Sequence, residues 1–174
     1  MTWNESFIDL FERSVKRYKS GDKNFTGYYE DEDLLLLTSI GCRGREFFDF
    51  VEDHVEDRDG PAATTALLVA AVRRDYFHVV MEGKVCRPTL NPDNAPAREE
   101  TLAGMAYLPR LLAKARAKLA GELDPDLMYG CGGDRKFLRE HGDIHLADFL
   151  RRVWAAGDDD DRIAKWIESK GALV

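Results

Sequence analysis

The chain has 174 residues, 44% hydrophobic, 33% charged and 10% aromatic, which is the profile of a folded protein and excludes a disordered one. A domain of roughly this size buries about two-thirds of its unfolded surface, so no metal or disulfide is needed merely to hold it together. The formal net charge of -7 sets the average surface against phosphate backbones and anionic headgroups, so neither nucleic acid nor a membrane is an expected partner.

Residues 3–18 place Trp3, Phe7, Leu10, Phe11, Val15 and Tyr18 at three- and four-residue steps with charge between them, which predicts an amphipathic first helix ending near Ser20-Gly21. Residues 22–29 read as a loop. The acidic cluster at 30–33 suits the positive end of a helix over 34–40. Gly41-Cys42-Arg43-Gly44 predicts a break, because each glycine costs about 1 kcal/mol in a helix relative to alanine. The next piece, from Arg45, gathers Phe47, Phe48, Phe50, Val51 and Val55 on one face.

Gly60-Pro61 marks a turn, with Pro61 placed to open a helix. Residues 62–81, apolar on nearly all sides through 66–72, read as the central buried helix, with Gly83 as its stop. That apolar run is far short of the roughly 18 residues a membrane span needs. Three of the six prolines fall between 84 and 97 and predict a crossing loop. No hairpin signal is found anywhere, although 79–87 could be locally extended. Pro109 opens a helix to about Ala120, before Gly121. Short helices follow over 134–140, 147–156 and 160–169, each beginning near an aspartate and stopping at a glycine. The expected fold is all-α: a single-domain irregular bundle of about seven helical segments, with 1–83 and 104–174 as candidate sub-units joined by the proline-rich loop 84–103.

At about 100° per residue, the helix after Pro109 sets Arg110, Lys114 and Lys118 in one stripe opposite Leu108, Leu111, Leu112, Ala115 and Leu119. Like charges at that spacing repel, so something acidic should lie against them: neighbouring Asp and Glu side chains, or an anionic ligand. Downstream runs Met128-Tyr129-Gly130-Cys131-Gly132-Gly133-Asp134-Arg135. Glycines around a thiol permit unusual backbone and can leave the sulfur accessible. A thiol at a helix entrance near Arg135 and the stripe would have a lowered pKa. Cys131 is therefore the candidate nucleophile or soft-metal ligand, with Asp134 as catalytic partner and Arg110, Lys114, Arg116, Lys118, Arg135 and Tyr129 as ligand-binding residues. The plainer reading is a tight turn in which Cys131 packs and Asp134 caps the next helix.

The other candidates are structural or secondary. Cys42, Cys86 and Cys131 are odd in number, form no CxxC pair and follow no secretory stretch, which fits reduced thiols in a cytoplasm. The turn at Cys42 echoes the one at Cys131, so the two could form a redox pair or share a metal if they face each other. Arg73-Arg74-Asp75 interrupts the most apolar helix, and a buried guanidinium there would demand Glu46, Asp49, Glu52 or Asp53 as partner, or would clamp a substrate. His141 and His145 are separated by Gly142, and His54 and His78 are isolated, so no metal set is assigned and no cofactor can be named. No H-E-x-x-H, P-loop or GxGxxG is present.

Leu108-Pro109-Arg110, Lys114-Ala115-Arg116-Ala117-Lys118-Leu119, Gly121-Glu122-Leu123, Tyr129-Gly130-Cys131-Gly132-Gly133-Asp134 and Phe149-Leu150 together resemble a bacterial domain family of unknown function, specifically from Gly104 to Trp166. Residues 34–83, with Ile40-Gly41-Cys42 and Arg73-Arg74-Asp75-Tyr76-Phe77, look like its longer members. Shorter relatives differ at the cysteine turn but keep the Pro-Arg, Lys, Arg-Ala and Asp positions. The resemblance thus implies a shared polar site at Arg110, Lys114, Arg116 and Asp134, and no reaction. Two functional expectations stand: a small cytoplasmic enzyme or sensor for an anionic small molecule, or a non-catalytic helical module that binds a protein partner or forms a homo-oligomer.

Overall fold

The computed structural model describes residues 1–171. The chain is all-α, with eight α-helices and one two-stranded hairpin among the described residues, and it divides into two compact units, Met1–Val85 and Cys86–Val174.

In the first unit, α1 (Trp3–Lys19), α2 (Asp31–Ser39), α3 (Gly44–Glu56) and α4 (Ala63–Val79) follow in order, with a short 3-10 turn at Phe25–Gly27. The first helix is the hub, packing on α2, α3 and α4. Its buried Phe7 and Phe11 meet Phe47 of α3 edge-on, with ring centroids 5.1 and 5.9 Å apart. This corrects the expectation that the apolar helix after Pro61 is central. Its alanines fill little volume, so the aromatic stripe of α1 takes the middle, and α4 leaves Leu68 exposed. Pro61 precedes α4 rather than opening it: Ala62 is the N-cap, and the Pro61 carbonyl accepts a hydrogen bond from His54 Nδ1. The break at Gly41 is real, for Gly41 has φ +66° and a Cβ there would lie 2.7 Å from the Phe77 ring.

The second unit begins irregularly. Thr89 and Leu90 pair with Glu122 and Asp124 through backbone hydrogen bonds of 2.8 to 3.1 Å, tying the proline-rich stretch to the segment after α5. Strands β1 (Thr101–Leu102) and β2 (Met105–Ala106) form an antiparallel hairpin, in register Thr101 to Ala106 and Leu102 to Met105. This hairpin was not expected. Its turn residues Ala103 and Gly104 both have positive φ, 49° and 74°, the conformation of a two-residue hairpin turn. The rest is α5 (Leu108–Ala120), α6 (Gly132–Glu140), α7 (Leu146–Ala156) and α8 (Asp160–Gly171). Helix α5 packs on α7 and α7 on α8, around Leu111, Leu112, Ala115, Phe149, Leu150 and Ile163. As expected, Gly121 closes α5 in the left-handed conformation, φ 70°.

Candidate functional site

The N-cap of α5 is Tyr107, a non-glycine residue at φ 76°. Such a conformation costs on the order of 1–2 kcal/mol for an L-residue and persists where surrounding contacts enforce it. The contact here is the phenol, which donates to Asp134 Oδ1 at 2.8 Å. Two turns further along α5 stands Lys114, only 1% exposed, whose Nζ donates to the same Asp134 oxygen at 2.7 Å. The other carboxylate oxygen accepts the Gly130 backbone N–H at 2.7 Å. Asp134 is 0% exposed, so its charge is met wholly by these three donors.

Cys131 is the N-cap of α6, and Gly130 before it takes φ 93°, which only glycine adopts at little cost. The pair of torsions aims the sulfur at α5: Lys114 Nζ donates to Cys131 Sγ at 3.2 Å, and Tyr107 Oη lies 3.9 Å from it. Gly133 is required by the same approach, since a Cβ there would sit 2.7 Å from the Tyr107 hydroxyl oxygen. Cys131 is a part-buried free thiol. Asp134 does not cap α6, as the plainer sequence reading has it. It lies one turn inside, and its carboxylate folds back onto Gly130.

Burial pushes the Tyr107 phenol far above its ordinary value, with the charges of Asp134 and Cys131 acting in the same direction. The proton therefore stays on this oxygen and remains available to Asp134. Tyr129 is pushed up in the same way, by full burial and then by the Asp134 charge, and its hydroxyl donates to the Leu146 carbonyl at 2.8 Å.

Of the residues singled out in the sequence, Lys114, Cys131 and Asp134 come together. The others are engaged elsewhere. Arg110 donates to the Pro96 carbonyl at 2.8 Å, Arg116 to the Gly157 carbonyl at 2.9 Å and to Asp160, and Arg135 to the Gly130 carbonyl at 2.6 Å. Lys118 is buried like Lys114, so the stripe does not face away from the core as the periodicity suggests. A long aliphatic stem lets a lysine run through apolar packing and still present its ammonium to a partner. Arg73 is buried, with Nη1 3.2 Å from Met81 Sδ and its guanidinium over the Phe77 ring, and Arg74 pairs with Asp75 at 3.2 Å. The Cys42 thiol points to the Arg43 carbonyl at 3.5 Å, in the first unit. Among the described residues, no group of three His, Cys, Asp or Glu side chains is arranged to hold a metal. His145 is the N-cap of α7 and accepts from the Ala147 N–H.

Tyr107 is the member of the group that sequence reasoning missed. The available signal was its position, an aromatic hydroxyl immediately before the helix-opening Leu108-Pro109, where Ser, Thr, Asp or Asn is the usual cap. A cavity of about 460 Å³ in the same unit is lined by residues of the turn after α6, of α7 and of α8, and includes neither Arg110 nor Cys131.

Residues 96–173 match the model of a family described as a domain of unknown function (DUF5069). The matched segment takes in the hairpin and α5 to α8, and so contains Tyr107, Lys114, Cys131 and Asp134. It agrees with the resemblance to a family of unknown function and supplies no reaction. No curated protein and no solved structure matches the chain. No helix among the described residues is long and apolar enough to cross a membrane.

Proposed function

We propose that this chain is a small cytoplasmic enzyme or sensor, of bacterial type, in which Cys131 is the reactive group and the molecule it meets is a small anion. One observation carries the reading: the Lys114 ammonium stands between the Asp134 carboxylate at 2.7 Å and the Cys131 sulfur at 3.2 Å. In such an arrangement the thiol sulfur is the nucleophile, and the ammonium stabilises negative charge developing on it or on an incoming oxygen. Asp134 is a positioning residue, since it holds the ammonium, and Tyr107 in turn holds that carboxylate while its hydroxyl lies 3.9 Å from the sulfur.

The test is site-resolved alkylation of the native protein, comparing neutral iodoacetamide with anionic iodoacetate. Cys131 is expected to react about tenfold faster than a simple thiol and to prefer the anionic reagent. Lys114→Gln is expected to remove both effects, with circular dichroism checking that the variant is folded. A Cys131 that reacts like glutathione in the native protein and shows no charge preference defeats the proposal.

A specific observation favours a second reading. Leu34 and Leu35 of α2 and Val79 and Val80 at the end of α4 are exposed, the lowest of the four being Leu34 at 46%, while His78 bonds the Ser39 carbonyl and so draws the two helix ends together. An apolar surface of this kind suits a helical module that binds a partner or a second copy of the chain. Light scattering decides it: a dimer abolished by Leu35→Lys supports the module, and a strict monomer removes the homo-oligomer.

A further inference from the structure

We propose that Lys114 and Cys131 are the two halves of a covalent modification site, joined through one oxygen atom as an Nζ–O–Sγ cross-link with dioxygen as the oxidant. The inference rests on the geometry of the pair and does not require the catalytic reading.

Oxidised cysteines usually end in a disulfide because another thiol captures the first oxidation product. Around Cys131 the groups within reach are different: the sulfur has Lys114 Nζ at 3.2 Å and the Tyr107 hydroxyl at 3.9 Å. The nearest group to an oxidised sulfur is therefore an amine; condensation of a sulfenic acid with nitrogen would give a direct S–N bond and a net loss of two hydrogens, whereas the four-electron step below oxidises both atoms and keeps one oxygen between them. Neither side chain can swing away. Lys114 is 1% exposed and is held by Asp134, and Cys131 is fixed by the Gly130 turn, whose N–H binds the same carboxylate. The sulfur itself is part-buried and not sealed, so a molecule the size of dioxygen can reach it.

The step balances without any further reagent. The amine and thiol carry three hydrogens between them, as do the ammonium and thiolate. One stays on nitrogen and two leave in a single water. One oxygen atom enters the link, forming an N–O and an O–S bond, and the other leaves in that water. Nitrogen and sulfur each give up two electrons, and these four reduce both oxygen atoms. A single bridging atom joins the two groups at close to their present separation, so α5 and α6 keep their packing and the nucleophile is silenced. Two equivalents of a dithiol return the pair to amine and thiol: each gives two electrons and two protons as it closes to a disulfide, and the bridging oxygen leaves as water.

The experiment is intact-mass and peptide analysis of the full chain, kept in air or under reductant. In air the protein is expected to gain the mass of one oxygen less two hydrogens. Trypsin should then fail to cleave after Lys114, the Lys114 and Cys131 peptides should run as one species, and dithiothreitol should separate them. Alkylation of Cys131 should disappear in the cross-linked fraction and return on reduction. Lys114→Arg, which keeps the cation, should abolish the cross-link, so that Cys131 in that variant stays open to alkylation. The proposal is overturned if oxidised native protein carries whole oxygens on Cys131 with the two peptides separate, or if Cys131 is found only in disulfides. Those outcomes leave the alkylation rate of the reduced protein unaffected, so they do not decide the reactive-thiol reading.

Discussion

Asp134 accepts three hydrogen bonds with no access to water, so removing it strands a buried ammonium rather than a surface charge. Breaking one partner of a buried pair costs about 3–5 kcal/mol. Asp134→Ala is therefore expected to lower the unfolding free energy by that much, read from urea titration as the midpoint multiplied by the slope, and to release Lys114 from the sulfur. Tyr107→Phe deletes one neutral donor among the three, and a single hydrogen bond contributes about 1 kcal/mol. Its stability loss should be of that smaller order, and Cys131 alkylation should stay near the native rate because Lys114 still faces the sulfur. The sequence carries the need for an acid beside the α5 stripe, since lysines four residues apart repel. It also carries the special backbone at Gly130, since glycine clusters mark such turns. Which lysine meets which acid is another matter: Lys114 and Asp134 are 20 positions apart, and that distance is closed by the tertiary fold rather than by any local pattern. Tyr107 escaped for the same reason, because its role comes from a left-handed N-cap that no residue preference of tyrosine announces.

Helices declared themselves through their periodicity, and the hairpin did not. Residues 3–18, 109–120, 147–156 and 160–169 repeat apolar side chains at helical steps and stop at or near a glycine, and each forms a helix within about a turn of those limits. Strands β1 and β2 are two residues each, too short for alternation to register. Their turn is Ala103-Gly104 instead of the Asn-Gly that favours two positive φ angles. That choice leaves Ala103 in a conformation costing an L-residue on the order of 1–2 kcal/mol, at an exposed position that makes no packing contribution. Ala103→Gly is expected to stabilise the chain by about 0.5–1 kcal/mol, the gain being reduced by the greater freedom of glycine when unfolded. Thermal unfolding measures it, and a loss of stability would mean that the turn is held by something other than its own torsions. At α6 the opposite substitution fails: Gly133→Ala puts a methyl carbon 2.7 Å from the Tyr107 hydroxyl oxygen, so the phenol must leave Asp134.

Three tyrosines distributed over the two units give the whole molecule an alkaline limit. Tyr29 in Met1–Val85, and Tyr107 and Tyr129 in Cys86–Val174, are all held well above the ordinary phenol value of 10.0, in each case chiefly by burial. Between that value and the raised one, the unfolded chain has lost phenolic protons that the folded chain still holds. The unfolded state then binds fewer protons, and linkage makes stability fall as pH rises. Below about pH 10 both states are protonated and these groups contribute no slope. For the wholly buried Tyr129 the slope approaches roughly 1.4 kcal/mol per pH unit above that point. Urea midpoints taken from neutral to strongly alkaline pH, with tyrosinate absorbance read on the same samples, should show a flat region and then a decline. Tyr107→Phe should make the decline shallower, and a midpoint that holds steady above pH 10 would contradict the burial argument for all three phenols. The same titration bears on whether the chain is one cooperative domain, as its length argues. One domain unfolds in a single step that exposes Tyr29, Tyr107 and Tyr129 together, whereas two independent units release Tyr29 at one midpoint and the other two at a second.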